Sequence, residues 1–136
     1  MNGPVSNPFS LAGKTIVVTG ASSGIGQQAA ISCSQRGARV VITGRDSERL
    51  QATYLQLAGD GHVQIVADLT QAADRDRLVQ ASGNIDGLVH CAGQQKHCPI
   101  RQLTERGMTD MYADNFLAPV MLTQRLLQAN AIGVQG

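Results

Sequence analysis

Three glycines and two serines crowd one short stretch of the chain. In TGASSGIG, residues 19–26, Gly20, Gly24 and Gly26 follow the β-branched run IVVT and open a helical pattern. Such a junction carries unpaired helix N–H groups and the positive end of a helix dipole, which together favour an anion. Gly20 permits a sharp exit from the strand, Gly24 lets the backbone approach a pyrophosphate without a Cβ, and Gly26 allows the helix to pack close to the strand. Ser22 and Ser23 add hydroxyl donors. The spacing G-x-x-x-G-x-G departs from G-x-G-x-x-G and lacks the terminal Gly-Lys-Ser/Thr of a P-loop, so a P-loop kinase or ATPase is disfavoured. The plainer reading is a Gly-rich strand-to-helix turn that holds no ligand.

The elements that must position this turn are legible as alternating patterns. A buried-strand run, 15–19, precedes a helix in which Ile25, Ala29, Ala30 and Cys33 recur at helical spacing, and Gly37 stops it. A second strand, 39–43, leads into a helix with Asp46 and Ser47 as cap residues and Leu50, Tyr54 and Leu57 on one face, ended by Gly59 and Gly61. A third strand spans 62–67. The next helix follows Thr70 as its N-cap and runs through Leu78 and Val79, and a fourth strand covers 86–91. A long helical tract from Thr104 to about Ala131, bent near Pro119, completes the pattern. Continuous Val and Ile strands separated by crossover-length helices predict an α/β fold with a parallel sheet covered on both faces, in one domain spanning 1–136.

Composition narrows the ligand. Eleven Lys and Arg against ten Asp and Glu leave a formal charge of +1, so no basic field attracts nucleic acid or an anionic membrane. A small molecule is the default ligand. Cys33, Cys91 and Cys98 are odd in number and lack zinc spacing, and the N-terminus has no signal pattern, which suits a reducing cytoplasm. The apolar stretch FLAPVMLTQRLL is broken by Pro119, Thr123, Gln124 and Arg125, too interrupted to span a bilayer. His90-Cys91 and His97-Cys98 pair metal-type ligands without a ligand geometry, so no metal is expected. Cys33 reads as core, Asp74 to Arg77 as a solvated helix face, and 96–101 as a substrate mouth or a plain loop.

With DL at 68–69, HCAG at 90–93 and DNFLAPVMLTQ at 114–124, the glycine turn forms a series of segments, and the sequence resembles the short-chain dehydrogenase/reductase family. Members of the 3-oxoacyl-carrier-protein reductase type are the most similar. The resemblance covers essentially the whole chain in order and implies a Rossmann-like, doubly wound parallel sheet of strand order 3-2-1-4. It implies a pyrophosphate on Ser22, Ser23, Gly24 and Ile25, and an adenine amino group donating to Asp68. Leu69 would add a backbone contact, and Ala92 and Gly93 would face the ribose and nicotinamide. His90 and Cys91 depart from the family's usual Asn-Asn.

The dinucleotide is a charge question at the end of the second strand. A 2′-hydroxyl wants a carboxylate there, whereas a 2′-phosphate wants a guanidinium. In TGRD, Gly44 opens space and Arg45 supplies charge, which favours NADP(H), with NAD(H) as runner-up. Asp46 is the counterargument, although it suits the N-cap of the following helix. A solvated Arg45 is the plainer alternative.

The resemblance also implies reversible carbonyl reduction of a small molecule by hydride transfer. This needs a proton donor, in the family a Tyr with a Lys four residues later, besides a Ser and an Asn. Asn115 matches the Asn. Tyr54 and Tyr112 are followed at that spacing by Ala58 and Phe116, so the chain holds no Tyr-x-x-x-Lys pair. The sequence thus resembles the N-terminal half of such an enzyme, truncated before the fifth strand. The expected consequences are catalytic inactivity alone, reduced stability and an uncovered edge on the fourth strand. The helix carrying Met108, Met111 and Tyr112 commonly lies at a dimer interface in the family, which implies a homo-oligomer. The alternatives are a non-enzymatic dinucleotide sensor, a subunit that complements another chain, and a structural protein without ligand.

Overall fold

A computed structural model of the chain describes residues 6–133. The element order is β1 (Thr15–Thr19), α1 (Gly24–Gln35), β2 (Arg39–Gly44), α2 (Ser47–Tyr54), β3 (Val63–Val66), α3 (Ala72–Ser82), β4 (Gly87–His90), α4 (Glu105–Tyr112) and α5 (Ala118–Gln128). All strands are parallel, in the order β3-β2-β1-β4, as the resemblance implied. Strand geometry divides the continuous Val/Ile runs between two faces. Ile16, Val18, Val40 and Ile42 pack with Ala30 of α1 and Leu50 of α2, while Val17 and Val41 pack with Leu78 of α3 and Leu122 and Leu126 of α5. Each buried Val, Leu or Ile among them contributes about 1.5–3 kcal/mol of transfer free energy, so this double core fixes the strand ends that build the site.

Several sequence expectations shift. On α1 the buried positions are Gly26, Ala30 and Ser34, whereas Ile25 is 82% exposed. The close approach of Gly26 to the sheet sets the helix phase and turns Ile25 outward. Helix α2 stops at Tyr54 rather than at Gly59. The Ser34 hydroxyl of α1 accepts from the Ala58 N–H and the Tyr54 hydroxyl donates to the His62 carbonyl, so side chains hold the rest of that segment as a turn. Leu57 still packs against the core from there.

Helix α3 is preceded by Gln71 as N-cap, not Thr70. The Thr70 hydroxyl donates instead to Asp68 Oδ1 at 2.7 Å. Nor are Asp74 to Arg77 simply solvated. Asp74 accepts from the Asp68 N–H, Arg75 and Arg77 donate to the Leu69 and Val66 carbonyls, and Asp76 pairs with Arg125 of α5 at 2.6 Å. These four charges clamp the β3–α3 turn and dock α3 on α5.

The long C-terminal tract is two α-helices joined by a π-helical turn, Ala113–Leu117, and α5 ends at Gln128. Proline explains the junction: Pro119 sits in the first turn of α5 and brings no N–H to the carbonyl of Asn115, four residues earlier, so the chain widens ahead of it. Beyond α5, Ile132 forms a parallel bridge with Ile85, so the outer side of the β4 segment, expected to be uncovered, begins with one rung. Among the described residues, no helix is long and apolar enough to cross a membrane.

Candidate functional site

The three glycines of the opening turn do different work. At Gly20, φ is +63°, and a Cβ there would lie 2.6 Å from the Ala92 nitrogen and the Cys91 carbonyl. A Cβ on Gly26 would overlap the Gly20 carbonyl. Both therefore serve close packing of backbone on backbone. Gly24, at φ +57°, has nothing within 4 Å of where its Cβ would sit. That space opens into a cavity of about 410 Å³ at the C-terminal ends of the strands.

Eleven residues singled out by sequence line this one cavity: Gly20, Ser22, Ser23, Gly24, Ile25, Gly26, Arg45, Asp68, Leu69, Ala92 and Gly93. Ser23 is the N-cap of α1, yet its hydroxyl accepts no helix N–H. Asp46 caps α2 through the Arg49 N–H at 3.0 Å and so has the structural role weighed against its charge. The carboxylate of Asp68 is steered by the Thr70 N–H and hydroxyl, both on Oδ1. Its backbone N–H is held by Asp74, whose carboxyl is pushed below the usual range first by Arg77 and then by that N–H.

Asn115 does not line the cavity. Its Oδ1 accepts from the Gln94 N–H and its Nδ2 donates to the Gln94 carbonyl, each at 2.7 Å. The side chain therefore fixes the loop after β4, and a Cβ on Gly93 would lie 2.8 Å from Oδ1. Arg45 reaches the same region. Its guanidinium lies 3.3 Å from Asp114 Oδ1, and with the Gln94 amide oriented to satisfy its neighbours, the Gln94 oxygen accepts from it at 2.7 and 3.1 Å.

Sequence reasoning missed four contributors. Thr19 Oγ1 accepts from the N–H groups of both Cys91 and Ala92 at 3.2 Å, stitching β1 to the loop after β4. Thr123 Oγ1 lies 2.9 Å from the Pro119 carbonyl, to which it donates, and 3.0 Å from His90 Nε2, with which it shares a hydrogen bond. Crowding beside α5 desolvates that imidazole and pushes its pKa below the ordinary value. Thr43, also lining the cavity, holds a buried hydroxyl with no partner among the described residues. Asp114 stands at the cavity wall with its side chain only 13% exposed. Hydroxyls and a carboxylate of this kind carry no spacing signal; only the fold brings them together. Burial raises the Cys33 thiol, and Lys96 faces a smaller cavity shared with Arg45 and Asp114. No group of three or more His, Cys, Asp or Glu side chains that could hold a metal ion occurs among the described residues.

A family model described as short chain dehydrogenase matches residues 14–135. The chain is 36% identical over 124 residues to the rhamnolipids biosynthesis 3-oxoacyl-[acyl-carrier-protein] reductase of Pseudomonas aeruginosa, covering 88% of this chain and 48% of that protein. Among solved structures, a dehydrogenase/reductase from Sinorhizobium meliloti 1021 superposes with a TM-score of 0.84 and 33% identity over 92% of this chain and 52% of the other. An actinorhodin polyketide ketoreductase solved with NADPH gives a TM-score of 0.80 and 29% identity, covering 85% of this chain and 47% of that one. The chain spans about half the length of these relatives.

Proposed function

The chain belongs to the short-chain dehydrogenase family, and from that premise we propose that its cavity binds a nicotinamide dinucleotide, NADP(H) in preference to NAD(H), for interconversion of a small-molecule carbonyl and alcohol. The observation that carries this reading is the open Cβ space at Gly24, at a helix N-terminus whose capping serine leaves its hydroxyl free. A pyrophosphate fits such a cradle: helix N–H groups and the Ser23 hydroxyl donate, and no side chain intrudes. Asp68 Oδ1 is taken by Thr70, leaving Oδ2 for an adenine amino group. Arg45, at the end of β2, supplies the guanidinium for a 2′-phosphate. The actinorhodin ketoreductase was solved with NADPH, which agrees with the choice.

The dinucleotide, when bound, supplies or accepts hydride. What this chain's residues do is bind and orient it: Thr19 and Asn115 fix the loop bearing Ala92 and Gly93, which lines the same cavity. Proton donation to a carbonyl oxygen needs a further acid. With Asn115 as the sole matching catalytic residue and no Tyr-x-x-x-Lys pair in the sequence, the 136-residue chain binds cofactor without turnover. Met108, Tyr112, Phe116 and Val120, exposed at intervals of four along α4 to α5, suit a homo-oligomer contact. The three free thiols suit the cytoplasm.

The test is a pair of fluorescence titrations with NADPH and NADH. Arg45→Ala should weaken NADPH about tenfold or more while moving NADH by less than about twofold. Equal losses for both would remove the 2′-phosphate assignment.

A further inference from the structure

The Arg45–Asp114 ion pair joins two sides of the cavity. Arg45 leaves the C-terminal end of β2, whereas Asp114 lies in the π-helical turn after α4, and both line the same space. Between β2 and β4 runs β1 with the glycine turn. The 3.3 Å contact therefore closes across the region where the turn opens. Gln94 braces the guanidinium through its side-chain oxygen and is itself gripped by Asn115 at both backbone groups. Arg45 is thus held by oxygens from the far side of the cavity. Asp114 has no other cation within ion-pair distance among the described residues.

We propose that Asp114 is a specificity-determining residue: it competes with a 2′-phosphate for Arg45, so that a dinucleotide must draw the guanidinium off a carboxylate before using it. The inference rests on the reading of Arg45 as the 2′-phosphate ligand. A phosphate of charge near −2 offers several acceptor oxygens and can displace a single carboxylate contact. A ribose 2′-hydroxyl offers no charge and gains nothing from the same arginine. Asp114 therefore taxes the phosphorylated cofactor alone. Gln94, being neutral, adjusts to either arrangement.

The experiment measures the dissociation constants of NADPH, NADH and 2′,5′-ADP for the wild-type chain, Asp114→Asn, Arg45→Ala and the double variant. Circular dichroism checks each fold, and Asp114→Ser serves as the second replacement. Asp114→Asn should tighten NADPH and 2′,5′-ADP about three- to fivefold, the scale of a partly exposed ion pair, with NADH nearly unmoved. In the Arg45→Ala background the gain should vanish. No gain, an equal gain for NADH, or a gain that survives without Arg45 overturns the competition. These results leave the cofactor reading intact if Arg45→Ala still separates NADPH from NADH. If Arg45→Ala lowers both equally, the phosphate reading falls and takes the competition with it.

Discussion

Asn115 grips Gln94 by both backbone groups, its Oδ1 accepting from the N–H and its Nδ2 donating to the carbonyl, each at 2.7 Å. The asparagine proposed from the family resemblance as catalytic holds a loop here. Asn115→Ala should cost about 1–2 kcal/mol in urea denaturation, the worth of two exposed hydrogen bonds. Gly93→Ala places a Cβ 2.8 Å from Oδ1 and should break the same grip. The double variant should therefore lose much less than the sum of the two. Additive losses would show that the two residues act independently.

The glycines should fail in different ways. Gly26→Ala drives a Cβ into the Gly20 carbonyl and should destabilise the fold by at least about 2 kcal/mol, lowering the thermal midpoint. Gly24→Ala meets open space and pays only for φ +57°, about 1–2 kcal/mol, so its spectrum should remain native. A Gly24→Ala variant as unstable as Gly26→Ala would contradict this division.

The fold was largely legible because its signals are local. Val and Ile runs mark strands, Gly37 ends a helix, and Asp46 followed by Ser47 marks a cap; each depends on neighbours within a few residues. Thr70 departs from the cap position because two partners compete for its hydroxyl: helix N–H groups that would donate to it, and the Asp68 carboxylate to which it donates instead. The π-helical turn escaped for a similar reason, since Pro119 announces a perturbation without saying that the chain will widen ahead of it. Asp74 to Arg77 read as solvent-facing because their partners, the carbonyls at 66 and 69, the Asp68 N–H and the Arg125 guanidinium, include one contributed by a distant helix. Site residues within the segments 20–26, 68–69 and 90–93 were readable as motifs. Thr19, Thr43, Asp114 and Thr123 gain their roles only when β1, β2, β4 and the two C-terminal helices meet.

Thr43 keeps a buried hydroxyl without a partner among the described residues. Valine has nearly the same shape and removes the unsatisfied group, whose burial costs about 1–3 kcal/mol. Thr43→Val should raise the thermal midpoint by a few degrees, corresponding to about 1 kcal/mol. An unchanged or lower midpoint would mean that the hydroxyl is satisfied in solution.

His90 gives the fold a pH dependence with a definite sign. Its pKa is lowered below the ordinary 6.5 by desolvation, so on acidification the unfolded chain takes up the proton first. The contribution is fully present above about pH 6.5 and is lost as the pH falls through the lower folded value. Asp74, also lowered, loses its contribution only below its ordinary 3.8, in a separate acid window. Denaturation between pH 7.5 and 5 should therefore show stability falling in the wild type and a flatter profile in His90→Asn. Parallel profiles would remove His90 as the source.

The turn from Gly20 to Gly26 is the proposed cradle for a dinucleotide pyrophosphate. Titration of the 136-residue chain and of Gly24→Val with NADPH, followed by nicotinamide fluorescence and isothermal calorimetry, tests it directly. Such a cradle predicts saturable one-to-one binding by the wild type and loss of at least about tenfold in affinity by a natively folded Gly24→Val, because its side chain fills the open space. Equal binding by both chains, or no binding by the wild type, would contradict it.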